Sequence, residues 1–213
     1  MFSLQAGTTM AAAKPIEFYF DLASPCSYIA AERLEGFAKE VGRETVWKPV
    51  VLGGIFKATG NEMPARIKEK AAWMTRDLRM SCQMYGLDFR FPKAFPIRTI
   101  AHHRALLAAE AEGGQDALRR LALAFYRAYW GEGHDITQPE WFTAAAASTG
   151  LSPELLINAN NDEAIKQKLI ANTDEAIARG AFGAPTFMIG DQLFWGNDRF
   201  EMMRFYIEHV EIL

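Results

Sequence analysis

The stretch FYFDLASPCSYIAAERL, Phe18 to Leu34, decides the fold. Ile16, Phe18 and Phe20 alternate with Glu17, Tyr19 and Asp21, which is the period of a strand, and the aromatic content agrees. From Ser27 the apolar positions become Ile29, Ala30, Leu34, Phe37 and Ala38, the spacing of a buried helical stripe that Gly42 closes. Between the two patterns stands Ser24-Pro25-Cys26-Ser27. A serine hydroxyl accepts from the free amides of a first helical turn, and a proline at the first helical position gives up an amide that has no partner there. The strand therefore passes almost directly into a capped helix.

Working outward, ETVWKPVVL reads as a second strand, parallel to the first if the helix between them is a right-handed crossover. GGIFKATGNEMP reads as a turn-rich loop. The chain then carries helical periodicity between Gly, Pro and Asn breaks in KEKAAWMTRDLRMSCQMYG, RTIAHHRALLAAEAEGG, QDALRRLALAFYRAYWGEG, QPEWFTAAAASTG and SPELLINANNDEAIKQKLIANTDEAIARG. Strand patterns return in PTFMIG and QLFWG, joined by Gly190-Asp191 as a two-residue hairpin, before a last helix from about Asp198. The order β-α-β, helical block, β-β-α predicts an α/β protein of thioredoxin-like fold with a large all-helical insertion. Residues 15–60 and 180–213 form the thioredoxin-like domain, 61–179 the inserted helical domain, and 1–14 a disordered leader. Neither half buries its apolar face alone, so the two must share one sheet.

Composition narrows the function classes. Of 213 residues about half are apolar and 23% charged, which predicts a soluble globular protein with a substantial core. A net charge of -3 with scattered Lys and Arg argues against nucleic-acid or membrane-surface partners. No apolar run approaches a membrane span and the N-terminal stretch lacks a secretory pattern, so the expected location is cytoplasmic. Cys26 and Cys82 stand far apart in sequence and are expected as reduced thiols. No Cys or His spacing suggests a metal: His102 and His103 are adjacent, on different sides of a helix, and are read as surface or satisfied side chains. The aromatic residues of the helical block, Trp73, Phe125, Tyr126, Tyr129 and Trp130, read as core.

A ligand site is expected where the first strand meets its helix, because the helix dipole there favours an anion, and a thiolate is such an anion. The Ser24 hydroxyl can donate to a bound sulfur and lower its pKa, provided its proton is not used elsewhere. Ser24-Pro25-Cys26-Ser27-Tyr28 resembles the S-P-[FY]-S-[YW] motif of the kappa-class glutathione transferases and the bacterial 2-hydroxychromene-2-carboxylate isomerases, of DsbA-like thioredoxin fold. GGIFKATGN, WMTRDL, FPIRTIAHHRALLAA, YRAYWGEGHDIT and GAFGAPTFMIGDQLFWGNDR resemble segments of that family in the same order, and the last leans towards the isomerases. The resemblance implies that Ser24 contacts the glutathione sulfur and is the catalytic residue. It implies a cis Ala184-Pro185 bond whose backbone pairs with the cysteinyl part of glutathione. Asn197 and Asp198 then hold the γ-glutamyl end while also starting the final helix. Asn61 contacts glutathione, Lys57 on the loop meets a substrate carboxylate, and Trp195 walls the pocket. Cys26 departs from the family's aromatic residue, and reads as a small buried hydrophobe or as a thiol activated by the helix N-terminus.

The implied protein is a glutathione-dependent isomerase of 2-hydroxychromene-2-carboxylate-like intermediates of aromatic breakdown, and a homodimer. A kappa-like transferase shares the site but expels a leaving group. A thiol-disulfide oxidoreductase needs a cysteine pair, which serines at both ends of the motif argue against. A non-enzymatic glutathione or peptide binder is the remaining class.

Overall fold

The computed structural model describes residues 13–147 and 149–211, so all of the expected leader except Ala13 and Lys14 lies outside the described residues. Strand β1 (Ile16–Phe20) leads through helix α1 (Pro25–Glu40) to β2 (Thr45–Pro49), which runs parallel to β1 with Phe18 beside Trp47. The chain returns to the same sheet as β3 (Thr186–Ile189) and β4 (Gln192–Trp195), both antiparallel to their neighbours, in the order β2-β1-β3-β4. Ile189 pairs with Gln192, so Gly190 and Asp191 form the expected two-residue turn, with Gly190 at φ 59°. The helices between the two halves are α2 (Leu52–Thr59), α3 (Lys68–Met84), α4 (Ile100–Tyr126), α5 (Pro139–Ala147), α6 (Pro153–Asn158) and α7 (Glu163–Ala178); α8 (Phe200–Phe205) follows β4. Gly113 and Gly114 leave helical dihedrals inside α4, so the helix kinks where the sequence places a break. This is the α/β, thioredoxin-like architecture with helices interposed between its halves.

The alternation in β1 separates two buried faces rather than an inside from an outside. Ile16, Phe18 and Phe20 face Trp47, Phe187 and helices α1 and α4. Phe18 stacks on Phe20 and Phe187 with ring centroids 5.0 and 5.2 Å apart. Tyr19 lies on the opposite face with Val50, Ile55, Ala176 and Met188, beneath α2 and α7. Its hydroxyl donates to Glu175 at 2.9 Å, and Lys48 reaches both Glu17 and Glu175, tying α7 to the sheet.

Three expectations change. The turn-rich loop after β2 is in large part a helix, α2, because its start is held from outside: the Val51 amide donates to Thr173 Oγ1 at 3.0 Å and the Leu52 amide to Asp21 Oδ2 at 2.8 Å. Those bonds and the burial of Ile55 offset the poor helix propensity of Gly53-Gly54, and Gly60 at φ 71° ends the helix. Trp73 is 58% exposed whereas Phe125, Tyr126, Tyr129 and Trp130 are fully buried. Helix α3 buries Leu78 and Cys82, and Trp73 lies on roughly the opposite side of that helix. His102 and His103 are both buried. His102 shares a hydrogen bond at 2.9 Å with the Ile136 carbonyl, and His103 Nε2 accepts from the Leu22 amide at 3.1 Å, while Nδ1 of each has no partner among the described residues.

The buried Asp21 carboxylate joins three elements. Oδ1 accepts from the Ala23 amide at 2.8 Å and from the Thr99 hydroxyl at 2.9 Å just before α4, and Oδ2 accepts from Leu52 at the start of α2. In Asp21→Asn one acceptor becomes an NH2 group, so at least one backbone amide faces a donor. The expected cost is about 2–3 kcal/mol, read as a lower urea midpoint at unchanged m-value; an unchanged midpoint contradicts this role. Burial lowers the His102 pKa to about 4. A base with a folded pKa below its unfolded value contributes stability that is fully present above about pH 6.5 and is lost as the pH falls towards 4. His102→Asn is therefore expected to remove on the order of 3 kcal/mol of the stability difference between pH 7 and pH 4, whereas an unaltered pH slope would assign the acid sensitivity to other groups.

Candidate functional site

Ser24 is the N-cap of α1. Its Oγ accepts from the Ser27 amide at 3.2 Å, with Pro25 opening the helix, so the capping read from sequence is present. The same hydroxyl donates its proton to the Ala184 carbonyl at 3.0 Å. Donation to a bound sulfur thus requires that one O–H to swing away from Ala184. The swing leaves the cap intact, because Oγ accepts from Ser27 through a lone pair in either position. The first turn of α1 contains no acidic residue, so nothing within it neutralises the positive end of the helix dipole.

The Ala184–Pro185 peptide is cis, and the Pro185 carbonyl accepts from the Gly196 amide at 3.1 Å. The Ala184 amide meets no acceptor among the described residues. Ala184 and Ser24 face a cavity of about 450 Å³, within the range of small-molecule sites. Ala71, Met74, Thr75 and Leu78 line it from α3 at helical i, i+3, i+4, i+7 spacing. Phe56 closes it from α2, and the segment from Phe91 to Ile100 forms the far wall.

The remaining sequence-derived residues divide into those at the cavity and those outside it. Asn61 lines the cavity, and its Nδ2 donates to the Phe182 carbonyl at 2.8 Å, holding the segment after α2 against the approach to Ala184. Trp195 lines the cavity from the end of β4, 4.8 Å from the Phe182 ring by centroids. A Cβ on Gly183 would lie 2.6 Å from Trp195 Nε1, so the indole occupies this place because residue 183 has no side chain. Lys57 is outside the wall: it sits on a helix rather than a loop, and Phe56 reaches the cavity in its stead. Asn197 and Asp198 are also outside the lining and do not cap the last helix. Its N-cap is Arg199, without a side-chain bond, because Phe200 is the residue that buries against Phe37 and Phe187. The Asn197 carbonyl instead accepts from Arg33 at 2.9 Å, whose guanidinium lies between the Tyr85 and Phe200 rings, and the exposed Asp198 pairs with Arg199 at 2.9 Å.

Cys26 also lines the cavity, and of its two readings the structure favours the packed thiol. Burial, with smaller contributions from Asp77, Asp198 and Cys82, pushes its pKa up to about 12, so it is protonated at neutral pH. Both cysteines are free. Among the described residues no group of three or more His, Cys, Asp or Glu side chains is placed to hold a metal ion, and no helix is long and apolar enough to cross a membrane. Four features escaped the sequence reading: Asp21, Thr99, Arg98 and the α3 stripe. The stripe was legible as spacing. The other three become recognisable only once α2 and α4 are docked on the end of β1.

Comparison with known proteins agrees with the fold. The model of the DSBA-like thioredoxin domain matches residues 15–208. The chain is 31% identical over 196 residues to the 2-hydroxychromene-2-carboxylate isomerase of Sphingobium xenophagum, covering 91% of this chain and 98% of that protein. It is 32% identical over 214 residues to glutathione S-transferase kappa 2 of Caenorhabditis elegans, covering 87% and 88%. Among solved structures a 2-hydroxychromene-2-carboxylate isomerase superposes with a TM-score of 0.79 at 27% identity, over 92% of this chain and 95% of that one. Sequence, sheet order and strand-to-helix turn thus converge, and the chain belongs to the DsbA-like thioredoxin-domain family, among the relatives named 2-hydroxychromene-2-carboxylate isomerase and kappa-class glutathione transferase.

Proposed function

We propose that the chain is a glutathione-dependent isomerase acting on 2-hydroxychromene-2-carboxylate-like intermediates of aromatic breakdown, interconverting the ring form with an open-chain unsaturated ketoacid. The observation that carries this is the Ser24 hydroxyl at the helix N-terminus, beside cis Ala184-Pro185 and opening onto an apolar cavity, while burial raises the pKa of the chain's own thiol at the turn, Cys26.

The residues present suit glutathione. The unpaired Ala184 amide and its carbonyl match the backbone of an extended cysteinyl residue, and Ser24 stands where the sulfur would be. Asn61 lies along the same edge, with Pro185 fixing the strand start. Asn197 and Asp198 are assigned the γ-glutamyl end, where Asp198 is exposed and offers a carboxylate to an ammonium group. When bound, glutathione supplies a thiolate that adds reversibly to a conjugated double bond, so that the bond order drops and rotation becomes possible. Ser24 turns its proton from Ala184 to the sulfur and favours the anion together with the α1 dipole. Ala184, released from Ser24, is free to accept from the ligand's amide. Trp195, Phe56 and the α3 stripe hold the aromatic ring and exclude water.

A kappa-like transferase is the second reading, favoured by the 32% identity to a kappa enzyme. It uses the same sulfur site with a substrate that carries a leaving group. A redox role for the turn is disfavoured by the serines at 24 and 27 and the protonated Cys26.

Calorimetric titration with glutathione, read alongside the ultraviolet thiolate band, tests the assignment. Native protein is expected to bind and ionise the thiol at neutral pH. In Ser24→Ala the bound thiol's pKa is expected to rise by about one unit or more, some 1.4 kcal/mol, with turnover at pH 7 falling about tenfold. Equal thiolate signals in the two proteins remove Ser24 from the mechanism. In Gly183→Ala the new methyl displaces the Trp195 indole, so KM for an aromatic substrate should rise severalfold while glutathione ionisation is retained; an unchanged KM removes Trp195 from the substrate wall.

A further inference from the structure

Electrostatically the cavity is lopsided. Its wall is mostly apolar, and the two charged side chains in it are Asp21 and Arg98. Asp21 is buried and spoken for, since its oxygens already accept from Ala23, Leu52 and Thr99. Arg98 is different. It lines the cavity from the exposed rim, and no carboxylate or carbonyl among the described residues accepts from its guanidinium. A guanidinium presents donors in a planar fork that matches a carboxylate.

Its backbone is also held in place. The Tyr129 hydroxyl donates to the Ala94 carbonyl at 2.8 Å, and the Thr99 hydroxyl donates to Asp21 at 2.9 Å. The segment from Ala94 to Thr99 is therefore pinned near both ends, with Arg98 adjacent to one pin. An anchored backbone lowers the entropy lost when the side chain engages a ligand. The apolar α3 stripe and Trp195 line the same cavity and suit a ring.

We infer that Arg98 is the carboxylate anchor of the substrate pocket, so that the chain selects flat aromatic acids over their neutral analogues. The inference rests on the proposed substrate side of the Ser24 site, and it places at Arg98 the role that the sequence alone assigned to Lys57. The ring lies against α3 and Trp195, the carboxylate meets the guanidinium at the rim, and the conjugated bond is directed towards Ser24.

The test uses a pair of ligands that cannot react, 2-naphthoate and methyl 2-naphthoate, titrated into the full chain by calorimetry and by tryptophan fluorescence. Native protein is expected to bind the acid at least tenfold more tightly than the ester. Arg98→Gln should bring the two affinities together by weakening the acid alone, Arg98→Lys should retain part of the preference, and Lys57→Gln should leave it intact. The ester affinity serves as the control for folding and for the apolar wall. A native ratio near one, or a preference that survives in Arg98→Gln, overturns the inference. Turnover of a 2-hydroxychromene-2-carboxylate is measured in parallel. Arginine-dependent acid preference without turnover upholds the anchor and defeats the isomerase reading, whereas turnover with the same KM in native protein and Arg98→Gln defeats the anchor alone.

Discussion

The buried carboxylate of Asp21 is the contact on which the rest of the molecule depends. It takes three donors from three places: the turn that follows it, the first residue of α2 and the residue before α4. A buried carboxylate without such partners is strongly unfavourable, so folding selects the arrangement in which both helices start beside the end of β1. The helical block reinforces the same turn with further bonds. Tyr126 donates to the Asp21 carbonyl, Trp130 Nε1 to the Leu22 carbonyl, and the Leu22 amide to His103. The inserted helices thus supply the polar partners that let the strand-to-helix turn sit buried while Ser24 still reaches the cavity.

That scaffold gives the Ser24 hydroxyl a defined pair of partners. It accepts from the helix it caps and donates to the residue before cis Pro185, so elements from opposite ends of the chain meet at one oxygen. Moving the proton to another acceptor exchanges one hydrogen bond for another and leaves the cap unbroken. Burial pushes the pKa of the chain's own Cys26 up, which is why the proposed reading takes its thiolate from a bound partner.

Helix α3 has two characters. Ala71, Met74, Thr75 and Leu78 face the cavity, while Trp73, Met80 and Met84 remain exposed. An apolar cavity wall built from one helix, closed by Phe56 and Trp195, offers a ligand area and shape; polarity enters through Ser24 and Arg98. Gly183 has a comparable effect at small scale, because the lack of a Cβ brings the Trp195 indole over the site.

Much of this was legible in the chain itself. Alternating aromatics marked β1, Ser24-Pro25 marked the start of α1, Gly113-Gly114 the kink in α4, and Gly190-Asp191 the hairpin, because each expresses a preference of a few neighbouring residues for particular dihedrals or caps. The sequence by itself determined the order of elements, the need for two distant halves to share a sheet, and the serine at the turn. Tertiary structure decided what local preference cannot express: that Gly53-Gly54 would be helical once Asp21 and Thr173 held its start, that Phe200 would set where α8 begins, that Trp73 would face outward, and that Arg98 rather than Lys57 would stand in the cavity wall. The physical reason is that a side chain's direction follows from the docking of its element, and docking is settled by burial and hydrogen bonds between residues far apart in sequence.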